Sequence, residues 1–209
     1  WTRKLRGEHV SDDLNLDETW QPSSAHLAIA QLHHSGLIKF VVTTNVDDLH
    51  GKSGLPRDAL AELHGNSFVE ECEKCLKKYK RNFVTRTATG LFEHRTGRYC
   101  ECAGALRDII VNFGNTFEHV PSMEEQHDFA WVHCLKADLV LVLGSSLSVP
   151  TACDLPEECL EPREGKPDGG KLVIVNLQKT PKDALASLRI FASCDDVMAF
   201  LKQALSKAQ

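Results

Sequence analysis

Four cysteines stand in two close pairs, Cys72-x-x-Cys75 and Cys100-x-Cys102. Thiolates at this spacing are soft ligands, and two such knuckles can close a tetrahedral zinc site. The second pair is one residue shorter than an ordinary knuckle. The fourth ligand is therefore either Cys102 or His94, since a neutral imidazole also suits zinc. Upstream, His64 lies in the run Glu-Leu-His-Gly-Asn. An imidazole titrates near neutrality and can act as a general base, although an ordinary hydrogen-bonded histidine is the plainer alternative. Farther back, the apolar run Phe40 to Thr44 breaks into Asn45, Asp47 and Asp48, as a strand does where it meets a ligand crevice. A second apolar run, Leu139 to Leu143, opens into Gly144-Ser145-Ser146. Small hydroxyls and open backbone N–H groups there can face a sugar or phosphate.

These groups need a scaffold. The chain has 209 residues and is 42% hydrophobic, enough for one compact domain with a small insert. A net charge of -5 argues against broad phosphate-backbone binding, so nucleic acid is not indicated as a partner. No apolar run reaches the length of a membrane span, and the opening residues lack the pattern of a secretory signal. Eight cysteines in that context favour zinc in a reducing compartment over disulfides. Cys134, Cys153, Cys159 and Cys194 have no partner at metal spacing and are expected to be free thiols.

Trp1 to Gln21 is polar, without a clear period, and reads as a surface loop. Ser23 or Ser24 can cap a helix through His33 that buries Leu27, Ile29, Ala30 and Leu32, with Gly36 as its stop. Ile38 to Thr44 is a strand. A short element from Pro56 to Leu63 leads to a turn at His64-Gly65-Asn66, then a short strand over Ser67 to Glu71. Cys72 to Cys102 is basic (Lys74, Lys77, Lys78, Lys80, Arg81, Arg86, Arg95, Arg98) and poor in aliphatics, so it needs a metal staple. Arg107 to Phe113 reads as a strand or extended edge. Ser122 to Glu125 has the form of a capping box, opening a helix to about Leu135 that buries Phe129, Val132 and Trp131. Leu139 to Leu143 and Leu172 to Val175 read as buried strands, with Leu188 to Phe191 as a short last strand. Asp195 to about Ser206 is an amphipathic helix with Val197, Met198, Phe200, Leu201 and Leu205 on its apolar face. The alternation predicts an α/β fold, a doubly wound parallel sheet with polar residues at three strand ends, as in nucleotide sites. No G-x-G-x-x-G loop occurs in the sequence.

Several of these runs resemble one family. TTNVDDLH is similar to the sirtuin motif T/S-Q-N-x-D-G-L-H, and ELHGN to its catalytic-histidine motif. The cysteine pairs resemble its zinc ribbon, VNFGN its V-x-F-G-E substrate strand, and GSSL, VNLQ and CDDV its later cofactor motifs. The order is the family's, and KSGLPR, LRDIIVNFG, IVNLQKTPKD and CDDVM resemble its class IV branch. The resemblance implies a Rossmann-like core over 1–67 and 112–209 and a zinc-ribbon module over 68–111. It implies an NAD-dependent protein lysine deacylase that moves the acyl group to ADP-ribose and releases nicotinamide. His64 would be the general base. Thr44, Asn45, Val46 and Asp47 would line the nicotinamide and ribose pocket, Gly144, Ser145 and Ser146 the ribose and phosphates, and Asn176, Leu177, Gln178 and Cys194 the adenosine end. Val111, Asn112, Phe113 and Gly114 would pair with the backbone of the substrate, an acylated lysine segment of a protein such as a histone. Zinc would be structural, held by Cys72, Cys75, Cys100 and Cys102, and the class IV likeness implies a nuclear address.

Three positions depart from the pattern: Thr44 stands for glutamine, Asp48 for glycine and Asn115 for glutamate. Asp48 is expected to place a carboxylate beside the pocket and to weaken cofactor or substrate handling. Trp1-Thr2 resembles the residues just after the family's G-I-P-D-F-R-G segment. The expectation is an amino-terminally incomplete copy, without the glycine-rich loop and the first, central strand, and with little or no activity alone. A non-catalytic, zinc-stapled module that binds partners through its basic insert is the alternative.

Overall fold

The computed structural model describes residues 19–87, 90, 92–112, 114–115, 119–150 and 152–208. The expected surface loop (save its last residues), the likeness at Trp1-Thr2 and Phe113, expected on the substrate strand, lie outside them. Helix α1 spans Ser24–His34, with Ser23 at its N-cap, and the chain turns at Gly36. Strand β1 (Val41–Thr43) follows, then the short helix α2 (Leu49–Lys52), a 3-10 turn at Arg57–Ala59 and strand β2 (Leu60–Glu62), parallel to β1.

Strands β3 (Val69–Cys72), β4 (Lys78–Lys80), β5 (Arg95–Tyr99) and β6 (Ala105–Asp108) form an antiparallel sheet in the order β4-β3-β6-β5. Helix α3 (Ser122–Lys136) returns the chain to the parallel layer, where β7 (Leu139–Leu143), β8 (Lys171–Val175) and β9 (Leu188–Ile190) pair in order. Helix α4 (Cys194–Ala208) closes the described chain. No helix among the described residues is long and apolar enough to cross a membrane.

Alternation along the parallel strands places helices on both faces, because successive side chains point to opposite sides. From β1, Val41 packs with Ala25, Ile29 and Leu32 of α1 and Met198 of α4, whereas Val42 packs with Ala130 and Cys134 of α3. From β7, Leu141 and Leu143 join the same α1–α4 cluster, whereas Val140 and Val142 meet Cys159 and Leu172. Among the described residues the parallel strands make two ladders, β1-β2 and β7-β8-β9, spanned by one helical layer, and not a single continuous sheet.

Several details differ from the sequence reading. The residue before α3 is Pro121, and no side-chain cap bond forms, so the Ser122 capping box is not built. Ser122 is already inside the helix, which removes it from the cap position. Helix α3 buries Ala130 and Cys134 against Ala61, Leu63 and Leu155, while Phe129 and Trp131 on its other side are exposed. Leu27 and Phe200 are likewise exposed. In β7 only Val142 is fully buried, and Leu139 is 56% exposed. Of the segment Arg107 to Phe113, expected as a strand or an extended edge, the ladder takes in residues up to Asp108, and residues 109–112 run on without one.

A polar contact also joins α1 and α4. The Asp195 carboxylate accepts hydrogen bonds from the Ser23 hydroxyl (2.8 Å), the Ser24 hydroxyl (2.8 Å) and the Ala25 backbone N–H (2.7 Å). A side chain remote in sequence thus caps α1 at the positive end of its dipole. The Ala25 N–H, then Ser24 and Ser23, hold the Asp195 carboxyl below its usual pKa. Asp195→Ala is expected to lower the unfolding free energy by about 1 kcal/mol, the ordinary size of a lost helix cap. Urea titration at neutral pH measures it, with exposed Lys202→Ala as the control on the same helix.

Candidate functional site

The turn that carries His64 is fixed from both sides. The Leu63 N–H donates to the Thr43 carbonyl (2.9 Å) and the Ser67 N–H to the Val46 carbonyl (2.9 Å), which fastens the turn to the carboxyl end of β1. On the other side the Val111 N–H donates to the His64 carbonyl (3.0 Å). Between them Gly65 sits at φ +79°, and a Cβ there would come within 1.8 Å of the Ile109 carbonyl oxygen. Only glycine permits that approach. The His64 ring is half-buried; burial lowers its pKa, and a hydrogen bond to the Thr44 backbone opposes the shift in part. A neutral imidazole at a strand end is a competent proton acceptor.

The flanking motif residues hold the turn. Asn66 is fully buried; its amide donates to Glu62 Oε1 (2.6 Å) and Asp48 Oδ1 (2.8 Å), and its carbonyl accepts from the Phe68 N–H (2.9 Å). The sequence reading singled out His64 alone. The signal that could have found Glu62 and Asn66 was their symmetric flanking of it, two polar residues in a short buried turn.

Thr44 and Asn45 are exposed and Val46 and Asp47 half-buried at the end of β1. Gly144, Ser145 and Ser146 follow β7, and Asn176, Leu177 and Gln178 follow β8. The Asn176 side-chain amide donates to the Ser145 carbonyl (2.6 Å), which joins those two strand ends. Gly144 lies at φ +66°, and a Cβ there would stand 3.2 Å from Cys194 Sγ at the start of α4. These residues thus share the carboxyl ends of parallel strands, where α/β folds bind nucleotides. Leu177 is 71% exposed, apolar surface that a flat ring could cover.

The thiols of Cys72, Cys75, Cys100 and Cys102 lie within 4.8 Å of one another. The closest pairs are Cys72 with Cys102 (3.5 Å) and Cys75 with Cys100 (3.6 Å). A zinc tetrahedron with bonds of about 2.3 Å has sulfur–sulfur edges of about 3.8 Å, so the four fit the ion. The Tyr79 hydroxyl lies 3.1 Å from Cys100 Sγ and pulls that thiol down to about 6, with the Cys102 backbone adding to it. His94 is not in this cluster. Its Nδ1 bonds Asp108 Oδ1 at 3.0 Å, and Asp108 also pairs with Arg86 at 3.2 Å. Cys102 therefore closes the set, and His94 is removed from it.

The Sir2 family model matches residues 9–151 of the chain. That is more than half of it. The chain belongs to the Sir2 family. The NAD-dependent protein deacetylase SRT1 of Arabidopsis thaliana is 40% identical over 209 residues, which is 99% of this chain and 41% of that protein. The NAD-dependent protein deacetylase sirtuin-7 of Bos taurus is 41% identical over 210 residues, 98% of this chain and 50% of that one. The chain thus spans about half the length of the curated relatives it matches. Among solved structures, a Sir2 complex with an inhibitor, 2'-O-acetyl-ADP-ribose and a deacetylated p53 peptide superposes with a TM-score of 0.69 at 30% identity, covering 98% of this chain and 79% of that one. The Rossmann-like α/β fold of these sirtuins is the fold described above.

Purified protein is expected to hold one zinc ion by elemental analysis. Cys102→Ser should release it and His94→Ala should retain it; the reverse pattern would overturn the ligand set. A second expectation concerns acid. The His26 and His50 rings lie with centroids 4.7 Å apart, tilted at 57°, and His50 Nδ1 is buried without a hydrogen-bond partner among the described residues. Burial, then the neighbouring His26, lowers the His50 pKa from 6.5 to about 4. The unfolded chain takes up a proton in that window that the folded chain refuses, so stability falls as pH drops from about 6.5 to 4. Urea midpoints across that range should show the slope, and His50→Gln should flatten it.

Proposed function

We propose that the protein is an NAD-dependent protein lysine deacylase that transfers the acyl group from lysine to ADP-ribose and releases nicotinamide. The observation that carries this reading is the His64 turn, a half-buried neutral imidazole held at the end of β1 and against residues 109–111. The names of the matched relatives and the acetyl-ADP-ribose complex of the Sir2 neighbour support it.

NAD, when bound, supplies the ribose carbon that receives the acyl oxygen as nicotinamide departs. In this reading Thr44, Asn45, Val46 and Asp47 shape the nicotinamide and ribose pocket. Gly144, Ser145 and Ser146 meet the ribose and phosphates, and Asn176, Leu177, Gln178 and Cys194 the adenosine end. Val111, Asn112 and Gly114, with Phe113, receive the substrate backbone beside the base. His64 takes the proton from a ribose hydroxyl at its free ring nitrogen, which burial keeps unprotonated at neutral pH. The zinc module, assigned to 68–111, holds shape and supplies no step; the remainder forms the cofactor core. The class IV likeness supports a nuclear, chromatin-associated substrate such as an acylated histone tail.

Nicotinamide release from NAD in the presence of an acetyl-lysine peptide tests the reading. His64→Ala should reduce turnover at least about 100-fold, the scale of a lost general base. Turnover should also fall as pH drops through the His64 pKa, which lies below the usual 6.5. Activity of His64→Ala near the parent rate would remove His64 from the role.

A further inference from the structure

Asp48 does not face the pocket. It is 2% exposed, at φ +62°, the left-handed region that aspartate tolerates and most side chains do not. That backbone turns the carboxylate inward. Oδ1 accepts from Arg57 (2.8 Å) and from the Asn66 side-chain amide (2.8 Å). Oδ2 pairs with Lys80 at 2.8 Å. These partners come from three places: the turn before β2, the residue two past His64, and strand β4 beside the cysteine knuckle. Arg57 and Asn66 also share Glu62, at 2.9 and 2.6 Å, so Asp48 sits in a closed net around the histidine turn. Lys80 and Arg57 together answer its buried charge and hold the carboxyl below its usual pKa against burial, which alone would raise it.

We propose that Asp48 is a positioning residue for the His64 turn, and that through Lys80 its carboxylate ties the geometry of that turn to the zinc module. The catalytic consequence rests on the proposed role of His64; the structural coupling does not. The link runs from the thiolates along Leu76 to Lys80, then through Asp48 and Asn66 to the turn. Asp48 thus acts by holding Asn66 from behind, and the pocket wall is made by its neighbours Asn45 and Asp47.

Hydrogen exchange of the Leu63, Ser67 and Phe68 amides reports on the turn directly, since each is bonded within the turn, to β1 or to Val46 just past it. Asp48→Asn keeps the shape and the left-handed backbone but removes the charge. It should speed exchange at these amides about tenfold, the size of a lost hydrogen bond to a charged group. Lys80→Met should act in the same direction, and the double variant should add little to either single one. Zinc removal by a chelator should loosen the same amides in the parent and add little in Asp48→Asn. Asp48→Gly should lose protection as well, although glycine relieves the backbone. Zinc content and thermal unfolding show that each variant folds. In the nicotinamide-release assay Asp48→Asn should lower kcat and leave KM for NAD unchanged. Unaltered exchange in Asp48→Asn and Lys80→Met, or a raised KM for NAD with kcat intact, would overturn the proposal. Failure of the folded parent to release nicotinamide would count against the deacylase reading alone, and the exchange result would still decide the role of Asp48.

Discussion

A backbone cannot pass within contact of another backbone where a side chain intervenes, and the His64 turn is built on that constraint. With Gly65 pressed on the Ile109 carbonyl, the histidine has one course available, bonded to β1 on one side and to Val111 on the other. Each backbone bond contributes only about 0.5–1.5 kcal/mol net. Their joint effect is geometric, since they leave the turn no alternative path. The candidate base, the end of β1 and residues 109–111 are therefore one connected arrangement, so a change that loosens one bears on the others.

The antiparallel module solves a different problem. Its interior holds few aliphatic side chains and several buried carboxylates. Glu70 is fully buried between Arg81 and Arg98, each at 2.7 Å, with Thr96 at 2.9 Å. Asp108 is buried between Arg86 and His94, and Glu71 pairs with Arg107 at 3.2 Å. Buried ion pairs of this kind fix geometry but add little net stability, because desolvation offsets most of their attraction. A module with such an interior needs another source of folding free energy. The four-thiolate site supplies it, since structural zinc binding is coupled to folding.

Much of this was legible in the sequence because it is local. Cysteine spacing, the histidine turn and apolar runs that end in small polar residues are all set by neighbours in the chain. Helices α1 and α4 and strands β1, β7 and β8 fall near their expected places for the same reason. What was not legible depends on partners far away. The Ser122 box failed because Pro121 takes the cap position, and Asp195 caps α1 from 170 residues along the chain. Periodicity gave α3 an apolar face, but contacts with Ala61, Leu63 and Leu155, distant in the chain, decide which part of it is buried. Asp48 reads as lying beside the pocket in the sequence because its neighbours Asn45 and Asp47 are expected there. Its positive φ reverses the direction of the side chain, and no count of residue types shows that.

The same pairing revises the view of the basic insert. Read as composition, eight lysines and arginines between Cys72 and Cys102 suggest a surface for an anionic partner. In the fold each has a partner, some of them shared. Arg81 and Arg98 meet Glu70, Arg86 meets Asp108, Arg95 meets Glu73, Lys77 meets Glu101, Lys78 meets Glu71 and Lys80 meets Asp48. Lys74 reaches the Cys102 carbonyl. The positive charge is neutralised largely within the module and at its contact with the core. A net charge of -5 for the chain already weakens attraction to polyanions, and this internal pairing weakens it further at the one place where sequence concentrates the cations. Arg81, Arg98, Arg86 and Lys80 stand beside carboxylates that are buried, so this part of the insert's charge is a property of folding before it is a property of recognition.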